Sequence, residues 1–184
     1  MYHSLQWALP IVFSSTGGKP SRLWVERHWL RTGEFVILLR VPGTLEYREL
    51  ATRVVTTACK LIRESEQGKT SGLSEEFTYE AVSAVGEAFN NVALHGYENL
   101  PTGDIIFEVS MFEDRLVIDV KDFGHAFHPD NAPEPDLGEL PESGMGLFII
   151  RAFVDELTYE PGSPNCLRMV KRFGVRKNET RKVE

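Results

Sequence analysis

Three groups of residues in this chain have types and spacing suited to chemistry. The first is Glu87, Asn91 and His95. At ~100° per residue, positions i, i+4 and i+8 fall in one row along a helix. A carboxylate, a carboxamide and an imidazole therefore share a face of the stretch EAVSAVGEAFNNVALHGY, residues 80–97. Val82, Val85, Phe89 and Val92 recur in the same stretch at the spacing of a buried stripe. A polar row beside a buried stripe suits a cleft; the alternative is a solvated outer face that happens to hold an Asn and a His.

The second group is Asp122-Phe123-Gly124. Asp122 falls in phase with Leu116, Ile118 and Val120, which puts a carboxylate on the apolar face of a strand end, costly without a partner. The plain alternative is a turn aspartate that starts a loop. The third group is Gly144-Met145-Gly146-Leu147 at a helix start, where glycines allow close approach and the first N–H groups stand open at the positive end of the dipole. A lone G-x-G marks many helix starts. The order of helix with E-x-x-x-N, strand ending D-x-G, long connection, and G-x-G-L before a helix is far more specific. It fits a nucleotide with a divalent metal. Mg²⁺ takes one or two protein oxygens, and Asn91 offers one. An adenine amino group wants a buried acceptor, which Asp122 can be.

The elements that must position these groups are legible in part. Residues 34–41 (EFVILLRV) read as a buried strand between Gly33 and Pro42. Thr44 can cap a helix with Tyr47, Leu50, Ala51, Val54, Ala58 and Leu61 on one face, running to about Arg63. Ser74 caps the central helix, and residues 99–103 close it. Residues 104–112 and 115–122 alternate as two strands joined at Glu113-Asp114. Residues 125–143 hold Pro129, Pro133, Pro135 and Pro141, five acids and no Lys or Arg, a pattern of a lid and not of a helix or strand. A helix with Leu147, Ile150, Val154 and Leu157 as its stripe follows. Residues 166–173 read as a last strand, and residues 174–184 as a polar tail. Residues 1–33, with Trp7, Trp24 and Trp29, read as an extension of unassigned role: an arm packed on the domain, or a partner-binding arm. The domain proper is 34–173.

Bulk properties bound the function. The 184 residues carry a net charge of −7 at a pI near 5.3, which argues against direct nucleic-acid binding. Cys59 and Cys166 are far apart and lack metal-ligand spacing, as expected of a reducing compartment. No apolar run approaches a membrane span and no signal peptide is visible, so the expected location is the cytoplasm.

At these motifs the chain resembles a known group. EAFNNVALHGY, DFG and SGMGL look like the ATP-binding boxes of the superfamily shared by gyrase, the heat-shock chaperone, histidine kinases and MutL. Within it the likeness is to the anti-sigma-factor serine kinases of bacterial partner-switching systems, and it covers about Glu34 to Arg172, including SGMGLFII followed by VDEL. The resemblance implies an α+β fold: a two-layer α/β sandwich with a mixed, mostly antiparallel sheet, helices on one face, and ATP in a Bergerat-type site beneath a lid. It implies Glu87 as general base, Asn91 as Mg²⁺ ligand and Asp122 as adenine acceptor. Gly124 would allow close approach of the base, and Gly144 and Gly146 would cradle phosphate. His95, Ala126, Met145 and Leu147 complete the implied nucleotide site. It further implies homodimers, a sigma factor or other regulated target, and a small antagonist protein phosphorylated on serine.

There are departures from the pattern. Ala126 stands where many members have a second glycine. Pro141-Glu142-Ser143 stands where many carry a basic residue, and no Lys or Arg lies between Phe123 and Ile150. Asn165-Cys166 replaces the usual Gly-Thr pair. A second reading is therefore an ATP-binding, partner-sequestering module with little or no kinase activity. A histidine-kinase ATP domain is a third, disfavoured because no phosphoacceptor-histidine helix pair precedes the domain.

Overall fold

A computed structural model of the chain describes residues 24–29, 35–65, 73–112, 114–127 and 145–173. Residues 128–143 of the lid expected at 125–143, Gly144, Glu113, residues 1–23, 30–34 and 66–72, and the tail at 174–184 lie outside the described residues.

Alternating apolar residues build the sheet. In strand β3 (Asp104–Met111), Ile105, Phe107, Val109 and Met111 are buried on one face. In β4 (Arg115–Asp122), Leu116, Ile118, Val120 and Asp122 continue that face. The two strands pair antiparallel, with Phe107 opposite Val120. β2 (Phe35–Pro42) flanks β3, and β6 (Asn165–Arg172) flanks β4. β1 (Trp24–Trp29) and β5 (Glu156–Glu160) form the edges, giving the order β1-β2-β3-β4-β6-β5.

The α+β sandwich expected from the sequence is present. Among the described residues the sheet is not mixed, however: its five pairings are all antiparallel. Helices α1 (Arg48–Ser65), α2 (Glu75–Asn91) and α3 (Met145–Phe153) supply the other side of the core. α2 packs between α1 and α3. Its Phe89 stacks on Phe107 of β3 with ring centroids 6.0 Å apart. Burial of such side chains is worth about 1.5–3 kcal/mol each, so this layer contact helps hold α2 on the sheet.

Several local expectations differ. Ser74 caps α2 as anticipated, accepting a hydrogen bond from the Phe77 N–H at 3.0 Å. Thr44 does not cap α1. A 3-10 turn, Leu45–Tyr47, intervenes, and the Thr44 hydroxyl donates instead to Glu46. The helix after Gly146 ends at Phe153, so Val154 and Leu157 are not part of its stripe. The chain turns there into β5, where Leu157 faces the core opposite Met169. The sequence division at Gly33 falls between two paired strands, since β1 adds to β2 through Trp29 opposite Phe35. No described helix is long and apolar enough to cross a membrane.

Candidate functional site

A cavity of about 600 Å³ opens between the C-terminal half of α2, the end of β4 and the start of α3. Glu87, Asn91, His95, Asp122, Ala126, Met145, Gly146 and Leu147 all line it. The described members of the three sequence groups thus meet in one place, apart from Phe123, which is exposed, and Gly124, neither of which lines the cavity. Gly144 lies outside the described residues.

The α2 row reaches the cavity through a change of helix type. After Asn91 the backbone widens into a single π turn, Val92–Gly96. The extra residue per turn takes His95 out of strict alignment with Glu87 and Asn91. His95 is exposed at the rim, whereas Glu87 and Asn91 are half-buried deeper in the wall. These two face the first turn of α3 closely. A Cβ added at Gly146 would lie 3.1 Å from both Asn91 Oδ1 and Glu87 Oε2. A side chain there would fill the space in front of two oxygens, one a neutral acceptor and one a carboxylate.

The Asp122 end is built from hydrogen bonds. Asp122 is buried, and its Oδ1 accepts from the Gly124 N–H at 2.8 Å and from Asn165 Nδ2 at 3.0 Å. Among the described residues its second oxygen, Oδ2, has no hydrogen-bond partner. Asn165, 1% exposed, also donates to the Gly124 carbonyl at 3.1 Å, and its own Oδ1 accepts from the Gly162 N–H at 3.1 Å. Gly124 is obligatory, because a Cβ there would stand 2.1 Å from the Gly96 carbonyl oxygen. The same carbonyl accepts from the His125 N–H at 2.7 Å. The π turn and the loop after β4 are therefore held in direct backbone contact.

Tyr97 braces this junction from behind. Its hydroxyl donates to the Asp104 carbonyl at 2.7 Å and accepts from the Phe123 N–H at 3.1 Å. Burial pushes the phenol above its ordinary pKa, with the Phe123 N–H pulling the other way. On the far wall Phe127 packs on Tyr159 of β5, rings 4.4 Å apart, and the Tyr159 hydroxyl accepts from the Phe127 N–H at 3.2 Å.

Asn165 is the residue that sequence reasoning passed over, treating it as a departure from a pattern. Its signal is register: Asn165 lies directly opposite Asp122 in the β4–β6 ladder.

The cavity suits a nucleotide. It has a carboxylate oxygen without a hydrogen-bond partner among the described residues at one end, apolar walls from Leu147, Leu167 and Phe127, and an amide and a carboxylate facing a glycine at a helix start. Among the described residues no cluster of three His, Cys, Asp or Glu side chains forms a metal cage. The donor set fits instead a Mg²⁺ that Asn91 Oδ1 would hold together with phosphate and water oxygens.

The chain belongs to the family described as the histidine kinase-like ATPase domain, whose match covers residues 48–171. Among individual proteins it is 30% identical over 166 residues to the serine-protein kinase RsbW of Staphylococcus aureus, spanning 83% of this chain and 98% of that one. It is 27% identical over 143 residues to the serine-protein kinase RsbW of Bacillus subtilis, spanning 71% and 88%. It is 33% identical over 102 residues to the anti-sigma F factor of Clostridium beijerinckii, spanning 50% and 69%.

Proposed function

We propose that this protein is an ATP-dependent serine protein kinase and anti-sigma factor that phosphorylates a small antagonist protein in a partner-switching pathway. The observation that carries the reading is the convergence of Glu87 Oε2 and Asn91 Oδ1 on the glycine at the α3 start, in one cavity with Asp122. The names of the relatives, serine-protein kinase and anti-sigma F factor, support transfer to a protein serine and a sigma factor as target.

Bound ATP supplies the γ-phosphoryl group, and Mg²⁺ offsets its charge. The chain's own residues bind and orient. Asp122 Oδ2 accepts from the adenine amino group, and Asn165 and the Gly124 N–H keep that carboxylate turned. Asn91 Oδ1 would hold the metal. The backbone N–H groups at the start of α3, with Gly146 lacking a side chain, receive phosphate. Glu87 accepts the proton of the attacking serine hydroxyl. That oxygen bonds to phosphorus as the bond to the β–γ bridging oxygen breaks, its electron pair leaving on ADP. The remaining catalysis is positioning and charge stabilisation. We place the protein in the cytoplasm as a homodimer, which a solution mass of twice the chain would support.

A second reading, an ATP-binding module that sequesters partners, is favoured by the absence of Lys and Arg between Phe123 and Ile150. Incubation with radiolabelled ATP and the antagonist separates the two. The kinase reading expects label on the antagonist from the unaltered chain and little from Glu87→Ala. No label from the unaltered chain leaves the second reading.

A further inference from the structure

Glu87 presents its two carboxylate oxygens to different surroundings. Oε2 faces Gly146 beside Asn91 Oδ1, toward the cavity. Oε1 meets two other groups, one of which, Arg48, lies outside the motifs. Asn90 Nδ2 donates to it at 3.5 Å, and Arg48 Nη2 lies 4.0 Å from it. Arg48 is the first residue of α1, on the opposite side of α2 from α3. Its Nε donates to the Gly86 carbonyl at 3.4 Å, so the guanidinium lies flat across α2 at Gly86. That seat exists because Gly86 has no side chain: a Cβ there would stand 2.6 Å from Arg48 Nη2 and 3.1 Å from its Cζ. Arg48 is absent from the cavity wall. Among the described residues its contact with the cavity wall is the one to Glu87.

We infer that Arg48 is a positioning residue for phosphoryl transfer. By attracting Oε1 it fixes the Glu87 rotamer and commits Oε2 to the cavity, where the acceptor's proton must go. The inference rests on the reading of Glu87 as general base. Three features of the structure converge on it. A cation from a second helix stands on the reverse side of the carboxylate. A glycine in the interior of α2, where alanine would favour the helix, leaves room for that cation. Asn90 beside Asn91 donates to the same oxygen. A carboxylate freed at Oε1 samples other rotamers, and misplacement of a base by an ångström is costly in rate. The contact is partly solvated, with Arg48 and Glu87 side chains 42% and 26% exposed, so its role is orientation and not global stability.

The test uses the full chain, Mg²⁺ and radiolabelled ATP with two acceptors: water, read as phosphate release, and the antagonist recovered with this chain by pull-down from its own cells. Arg48→Ala is expected to lower kcat about tenfold with both acceptors, with the KM for ATP within about twofold of the unaltered value. Arg48→Lys restores part of the rate. Gly86→Ala keeps the arginine but displaces it. It is expected to lower kcat in the same direction while the thermal midpoint rises. An unchanged kcat in Arg48→Ala, a loss confined to the antagonist arm or to the antagonist's KM, or full activity in Gly86→Ala would each overturn the inference. Failure of the underlying reading shows separately, as an inactive unaltered chain or a Glu87→Gln variant that transfers at the unaltered rate.

Discussion

Asn165 donates from Nδ2 to Asp122 Oδ1 at 3.0 Å, and both side chains are buried. The pair spans the β4–β6 ladder and sets the direction of the carboxylate's second oxygen. Asn165→Ala leaves a buried carboxylate short of a donor, a cost of about 1.5–3 kcal/mol where a charged group is involved. Nucleotide affinity is expected to fall by about tenfold or more, with a lowered urea midpoint. Asn165→Asp sets a second carboxylate against the first and is expected to be worse on both counts. Fluorescence titration with a labelled ATP analogue, beside equilibrium unfolding, checks both variants.

Gly124 and the Gly96 carbonyl test the joint between the π turn and the loop after β4. With a Cβ only 2.1 Å from backbone oxygen, Gly124→Ala cannot be relieved by a rotamer change. The backbone must move, at a cost of about 1–3 kcal/mol, and the His125 N–H to Gly96 carbonyl bond lengthens with it. Expected results are a lower thermal midpoint and weaker nucleotide binding together. Retained stability would show that the two backbones separate freely.

Asn91 is half-buried at the cavity wall and is not a member of the hydrophobic core among the described residues. Asn91→Ala is expected to abolish the Mg²⁺-dependent part of nucleotide affinity and leave the far-UV circular dichroism and melting midpoint near those of the unaltered chain. Titrations with and without Mg²⁺ read the first quantity. Global unfolding of the variant would mean that Asn91 holds the fold.

The buried thiol of Cys59 gives the fold an alkaline limit. Burial pushes it from an ordinary value of 9.0 up to about 11, with a Thr78 hydrogen bond pulling weakly the other way. The folded pKa is raised above the unfolded one. The folded chain therefore keeps a proton that the unfolded chain loses, and the associated stability is present below about pH 9. It is lost as pH rises toward about 11, by at most about 3 kcal/mol. Cys59→Ala is expected to be less stable at neutral pH, through the cavity it leaves, yet to show a flatter decline from pH 8 to 10.5. Urea midpoints across that range measure the slope, and equal slopes would contradict the assignment.

Much of this architecture was legible because the sheet strands face the core on one side only. Ile105, Phe107, Val109 and Met111 against Leu116, Ile118 and Val120 state their own pairing face, and Asp122 stands out as the polar member of that row. What stayed hidden depends on contacts distant in sequence. Val154 and Leu157 continue the spacing of Leu147 and Ile150, so a chain reversal into β5 looks like more helix; only Glu156, Thr158 and Glu160, on the other side of a short edge strand, mark the change. The π turn at Val92–Gly96 ends in a backbone contact with Gly124, which is distant in sequence. Asn165 and Arg48 gain meaning only once β6 is set beside β4 and α1 beside α2. The motif residues were readable as a set; the residues that aim them were not.

The central claim is one adenine-nucleotide site in the cavity shared by Asn91, Asp122 and Gly146. Calorimetric titration of MgATP into the unaltered chain and into Asp122→Ala tests it most directly. The account predicts one saturable site per chain, competed by ADP and poorly by GTP, and a loss of affinity of at least about tenfold in Asp122→Ala. Absence of binding to the unaltered chain, or equal affinity in the variant, would contradict it.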